Sequence, residues 1–558
     1  MSAFEIVGLT KSGGPLTKKI SLSETGALIS DGSACIMVAG EAKRFTFNNL
    51  TIFADVIGRL GSDRAIALGA LHHELPKQVN VLTKRRIIQL NGEAPTDVVV
   101  ICRTHENISY RPGKPALVLV DFDAKGMPDY VRRNIDRAGG PVLALQQVLP
   151  ELADCGHVIR ASTSAGLSRN DTGQVIQGSS GVHIYISAED GSDAERFLRT
   201  LHDRCWLAGF GWKMVGAAGQ LLDRSIVDRM VYAAERLVFE GAPVLEEPLR
   251  QSAEARQPKV HDGPLLDTLA ACPPLTLVEQ AELSRLQAVE AQRLAADAGA
   301  ARRKFIDTRS KDLADRAHIS VERARIVIEK QVGGVLLPDL MLPFDDPELA
   351  GITVRDVLAD PDRYVGETMA DPIEGVAYGT GKAKIMRRAD GSLWIHSYAH
   401  GRIVYDLKLD AASVRAAIQQ AAPEDVVSLF VRLAPDAELN AAEIEQLRDE
   451  VSDKTGTGKR RLDQTLGEAR KQREREQREQ ERLRRQAERL DRRPEIKAPK
   501  ADAERLPVVT SLDEVLLAIM RNEPPIRDAD GRPTDARCRS PFLLHELLTQ
   551  TGECEHGA

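Results

Sequence analysis

The run "LVLVDFDAKGMPD", residues 117–129, ends an apolar stretch in two aspartates one residue apart, Asp121 and Asp123. Side chains alternate faces along an extended chain, so both carboxylates share a face while Phe122 turns to the core. Two like charges side by side repel, and each resists losing its water. A hard divalent cation, Mg²⁺ or Mn²⁺, relieves that repulsion, because it takes carboxylate oxygens and leaves room for substrate phosphates. A solvated turn opened by Asp123 is the plainer reading of the same residues.

Two later segments add compatible groups. In "GSSGVHIYIS", residues 178–187, the small residues Ser180 and Gly181 lead into a β-rich run carrying His183. In "GQLLDRSIVDRMVYAAERLVFEG", residues 219–241, Asp223 and Asp228 each follow an apolar pair and stand near Arg224, Arg229 and Arg236. Taken singly, a strand histidine is usually structural, and arginines beside carboxylates read as salt bridges within a fold. Together with Asp121 and Asp123, and counting one of Asp223 and Asp228, they supply three carboxylates, a histidine after a glycine-lined turn, and nearby guanidinium groups.

In that order the segments resemble the archaeo-eukaryotic primase superfamily, in the primase-polymerase branch carried by phages, plasmids and integrated elements. Its pattern of hydrophobic-Asp-x-Asp, small-x-His and hydrophobic-Asp is matched by "VLVDFD", "GVH" and "IVD", and the likeness covers roughly residues 1–250. "ASTSAGL" at 161–167 and "ERLVFEG" at 235–241 are further similar features. The segment at 371–407, "DPIEGVAYGTGKAKIMRRADGSLWIHSYAHGRIVYDL", looks like a region that follows the primase domain in some phage and prophage primase-helicases.

The resemblance implies that Asp121, Asp123 and Asp228 are catalytic and hold two divalent ions, with Asp223 as the alternative third ligand. His183, Ser180 and Gly181 would meet the nucleotide's triphosphate. Arg224 and Arg236 would contact phosphate or template, and Ser162 and Ser164 could hydrogen-bond to either. The implied activity is that of a DNA primase or polymerase making or extending primers on single-stranded DNA from nucleoside triphosphates. A separate replicative helicase is an implied partner. Two rivals stay open. One is a non-catalytic primase-like adaptor recruiting a helicase through residues 440–558. The other is a metal-dependent phosphohydrolase with an aspartyl nucleophile, a family that wants Thr or Val where Lys125 stands.

The elements that must position these groups follow from length and patterning. A chain of 558 residues exceeds one hydrophobic core and predicts two to four domains. The expected class is α+β: a primase-polymerase-like domain with a mixed sheet at 1–250, a helical region at 275–332 and a mixed α/β accessory domain at 335–435. A charged helical arm and linker at 440–500 and a short module at 505–558 complete the chain. Within the accessory domain, Asp390-Gly391 marks a hairpin turn. His396 and His400 would share a face there, although a structural hairpin explains them. Residues 459–493 hold fourteen Lys and Arg against eight Asp and Glu, with i,i+4 pairs that predict a solvated helix.

Composition narrows the classes further. The net charge of −7 argues against a uniformly basic nucleic-acid coat, so any such contact must be local. Seven scattered cysteines without a C-x-x-C pair suggest reduced thiols in a cytosol. Cys538, His545, Cys554 and His556 fit no standard zinc spacing. "DKTGTGKRR", at 453–461, is not a phosphate-binding loop, since Asp453 and Arg460 replace the required glycine and Ser or Thr. No G-x-G-x-x-G opens a helix after a strand. No apolar run suggests a membrane span, and "MSAFEIVGL" lacks the pattern of a signal peptide. The expectation is a soluble, cytoplasmic protein.

Overall fold

The computed structural model describes residues 3–491 apart from 25, 90–98, 123, 125, 177–180, 253, 389 and 400–403. The architecture is mixed α+β. Among the described residues no helix is long and apolar enough to cross a membrane.

The run that ends in Asp121 forms the strand Ala116–Phe122, and its first five residues are all buried. A strand covered on both faces needs no polar alternation, and this one packs into a core with Phe53, Leu145, Tyr185 and Leu201. It is the edge of an antiparallel four-stranded sheet. The order continues through Val182–Ala188 and His157–Ala161 to Lys259–His261. Register matters most here: Asp121 lies opposite His183, which lies opposite Arg160. The three side chains therefore form one row on one face.

A second sheet runs Arg64–Ala67, Phe4–Lys11, Ala39–Phe47, Gln78–Leu82, Val100–Ile101. Its edge at Ile66 exchanges backbone hydrogen bonds of 2.8 and 3.1 Å with Val238, which anchors the segment leading to Glu240. Gly241 follows, where a Cβ would come within 2.3 Å of the Gly61 carbonyl, so only glycine fits. A hairpin of Gly211–Val215 and Leu221–Ser225 delivers the chain to Asp228.

Three helices follow, Leu277–Arg293, Ala295–Ala317 and Val321–Gly333. The first opens with a capping box, Thr276 with Glu279, that satisfies its leading amides. The last two share a core with the smaller sheet. That sheet runs Val335–Leu336, Val404–Leu407, Leu393–Ser397, Ala383–Arg387, Thr368–Met369. Gly391 turns its central hairpin at φ 85°.

The charged arm differs from its expectation. Its helix spans Lys459–Asp491, but Leu462 and Leu466 are buried with Val414, Phe430 and Leu447. Helices 411–433 and 441–455 and the start of the arm thus build one apolar cluster, and the expected boundary between 435 and 440 falls inside it. Two leucines at i,i+4 spacing are enough to pin one turn, whatever the charge of the remainder. The module at 505–558, with Cys538 and Cys554, lies outside the described residues.

Candidate functional site

His183 is held from both sides of its ring. Its Nδ1 donates to Glu240, while Nε2 stands 3.7 Å from an Asp121 carboxylate oxygen. Glu240 is completely buried. One of its oxygens also accepts from the Tyr185 hydroxyl at 2.6 Å, and the other from Arg160 at 2.7 Å and Arg256 at 3.2 Å. Four donors fill the lone-pair positions of an ionised carboxylate, so Glu240 has no capacity left for a ligand. Burial alone would raise its pKa, but His183, Arg160 and Tyr185 outweigh burial and hold it at about 2. For His183, burial opposes the imidazolium, yet Glu240 and then Asp121 overcome that opposition and raise its pKa.

Asp228 joins from a different segment. Its backbone N–H donates to the Asp121 carbonyl at 3.1 Å, and its side chain accepts from the Met230 N–H at 2.8 Å. Both aspartates line a small cleft with His202, Asp223, Arg224 and Arg229. Asp223 lies directly opposite Lys213 in the hairpin and forms an ion pair with it. Of the two candidate third carboxylates, then, Asp228 is tied to the Asp121 strand and Asp223 to a lysine.

The remaining predicted residues are distributed around this end of the sheet. Arg224 is largely buried and lines the cleft. Arg236 donates to the Met230 carbonyl at 3.0 Å, beside Asp228. The Ser162 N–H donates to the Gly181 carbonyl at 2.9 Å, which sets the Ser162–Ser164 turn against the start of the His183 strand. The two serine hydroxyls lie 3.4 Å apart. Asp123 and Ser180 lie outside the described residues. Among the described residues no three His, Cys, Asp or Glu groups gather as a metal site. The donor chemistry nonetheless suits a hard divalent ion, since Asp121 and Asp228 offer carboxylate oxygens at the cleft and Asp123 stands two residues after Asp121 in the sequence.

In the smaller sheet, His396 lies opposite Lys384 and packs edge-on between Trp394 and Tyr398, with centroids 5.5 and 4.7 Å away. Burial lowers its pKa. This is an aromatic ladder along a strand, and His400 lies outside the described residues.

Sequence reasoning missed the residues that hold the site. Arg160 and Glu240 are 80 positions apart and carry no shared motif. Tyr185 was the legible one, since it stands two residues after His183 and must share its face. His202 also escaped notice. It is buried in the helix Ala194–Leu207, where Nδ1 meets the Val227 carbonyl at 3.0 Å. Burial and then Arg229 lower its pKa to about 4, so it is neutral beneath the cleft. Comparison with protein-family models, with curated proteins and with solved structures finds no match to this chain.

Proposed function

We propose that the chain is a DNA primase or polymerase of the archaeo-eukaryotic primase kind, joining nucleotides on single-stranded DNA in the replication of a phage or mobile element. The observation that supports it best is the meeting of Asp121, His183 and Asp228 at one end of one sheet. They come from three segments in the order of the family's motifs. Residues 1–250 would be the catalytic domain.

Asp121, Asp123 and Asp228 would hold the divalent ions. Bound there, Mg²⁺ or Mn²⁺ would make the primer hydroxyl a better nucleophile and stabilise the departing pyrophosphate. The chain's own groups do the positioning. Glu240 keeps the His183 ring fixed through Nδ1, which leaves the Nε2–H to donate to a phosphate oxygen. Arg224 and Arg236 supply charge that phosphate oxygens accept. Asp228 is locked by Met230 so that its carboxylate stays at the cleft.

The deciding experiment supplies purified protein with a primed or unprimed single-stranded template, labelled nucleotides and Mg²⁺ or Mn²⁺. Products of graded length, dependent on template, are expected. No incorporation with any nucleotide set or metal would overturn the reading and leave the helicase-recruiting adaptor in its place.

A further inference from the structure

Residues 371–382, "DPIEGVAYGTGK", belong to the smaller sheet and its approach, yet Tyr378 and Lys382 in them lie within electrostatic reach of Asp228. Asp371, only 1% exposed, ties this segment down. It accepts from the Ser397 and Tyr405 hydroxyls at 2.6 and 3.2 Å and from the Ile373 and Glu374 amides at 2.8 Å. Glu374 in turn accepts from the Gln220 side chain, at the turn of the hairpin that carries Asp223 and Arg224. The smaller sheet is thereby fastened to the wall of the cleft.

Beyond Glu374 the chain bends at Gly375, Gly379 and Gly381, whose φ angles are 70°, 134° and 62°. A glycine-rich loop ending in lysine suggests a cradle of backbone amides for phosphate. The hydrogen bonds exclude that use. The Gly379 N–H donates to the Val376 carbonyl at 3.0 Å, that of Gly381 to the Asp345 carboxylate at 2.9 Å, and that of Lys382 to the Met369 carbonyl at 2.9 Å. A Cβ at Gly379 would come 3.0 Å from the Lys382 side chain, so the bare glycine leaves that lysine room. The Lys382 ammonium sits 5.7 Å from the centroid of the Tyr378 ring. Tyr378 lies within electrostatic reach of Arg224 and Asp228. Lys382 lies within reach of Arg236, Asp228 and Lys18.

Two cations from distant parts of the chain, Lys18 and Arg236, thus act on Lys382 together with the Asp228 carboxylate. Lys18 also acts on His183. Burial and then the Arg236 guanidinium push Lys382 down to about 8, while Asp228 pulls the other way. Cations crowd against one another in this way where a polyanion is to be received, because a chain of phosphates removes their mutual repulsion.

We propose that Lys382, seated against Tyr378, binds the polyphosphate of the incoming nucleoside triphosphate, so that the smaller sheet contributes part of the active site in cis. The proposal rests on the nucleotidyl-transfer reading and names a partner for its substrate outside residues 1–250.

The test uses the full chain with Lys382→Met, which keeps the half-buried stem, and Lys382→Arg, which restores the charge. Lys382→Met should raise the KM for nucleotide about tenfold or more, the loss of one charge-assisted contact. Affinity for single-stranded DNA, read by fluorescence anisotropy, should stay within about twofold, and Lys382→Arg should recover most of the KM. An unchanged nucleotide KM overturns the proposal. So does a loss confined to DNA affinity, which would assign the lysine to strand phosphates. If the unaltered chain makes no product, equilibrium binding of a labelled nucleoside triphosphate with Mn²⁺ separates the two ideas. Binding that depends on Lys382 upholds this site while the synthesis reading fails. Binding indifferent to Lys382, or no binding, removes the site as well.

Discussion

Glu240 and Asp121 face the same histidine from opposite sides of its ring, in opposite surroundings. Glu240 is fully buried and wrapped by four donors, whereas the Asp121 side chain keeps 31% of its surface exposed at a cleft. A carboxylate whose lone pairs are all taken can only hold its neighbours in place. One at a cleft beside a second carboxylate can still coordinate. The difference separates the groups that build the site from those available for chemistry, and variants should separate them too.

The largest effect should come from the exposed side. Replacing Asp121 and Asp123 together by Ala should cut nucleotidyl transfer by ~10³-fold or more, because electrostatic stabilisation of the transition state is lost. Stability should fall much less than on loss of Glu240, because the Asp121 side chain keeps part of its surface in water. Binding to single-stranded DNA should keep its salt dependence, since template phosphates are met by cations. Incorporation assays, thermal melts and salt titrations read the three quantities. Full activity in the double variant would remove the pair from the mechanism.

Glu240→Gln should do the reverse. It leaves Arg160 and Arg256 buried without their counter-charge, a loss of about 3–5 kcal/mol in unfolding free energy. Activity should fall with the folded fraction and with the loosened His183. A denaturant titration showing an unchanged midpoint would mean that the Glu240 network does not hold the fold.

Within the cleft itself the contrast becomes finer. Asp228→Asn should lower transfer by ~10²-fold or more, as for loss of a group acting directly on the transition state. Asp223→Asn breaks a partly exposed ion pair with Lys213, worth about 1 kcal/mol or less, and should cost no more than roughly fivefold. The opposite ranking would make Asp223 the third ligand.

The same contrast extends to the pH dependence of stability. The folded pKa of Glu240 is depressed to about 2 from an ordinary 4.5, so its contribution is present above the higher value and is lost as pH falls toward the lower. His183 is raised from 6.5, so its contribution is complete below that value and fades as pH rises through the folded one. Melting temperatures over a pH series should therefore decline at both ends. Glu240→Gln should flatten the acid limb. An acid limb as steep as that of the unaltered chain would place the titrating group elsewhere.

Local patterning made several elements legible. The apolar run into Asp121, the β-rich run around His183, the helical stretch after 275 and the Asp390-Gly391 turn all appear as read. A period of two or 3.6 is set by neighbours in the chain, so a strand, a helix or a tight turn needs no knowledge of the rest. The order of the aspartates and the histidine was also visible, and with it the family resemblance. The buried leucines of the charged arm were not, because two apolar residues in a polar helix reveal nothing about what they meet.

Sequence alone therefore determined which residue types stand at the strand ends and in what order. Tertiary structure decided the register that sets Asp121 against His183 and Arg160, and the hydrogen bond that brings Asp228 rather than Asp223 to the Asp121 strand. It also decided the closure of Glu240 over Arg160 across 80 residues and the approach of Lys382 to Asp228. Each of these depends on contacts between segments far apart in the chain, chosen by how whole elements bury their apolar faces together. No window of neighbouring residues carries that information, and so the groups that hold and complete the site emerge only when the chain is folded.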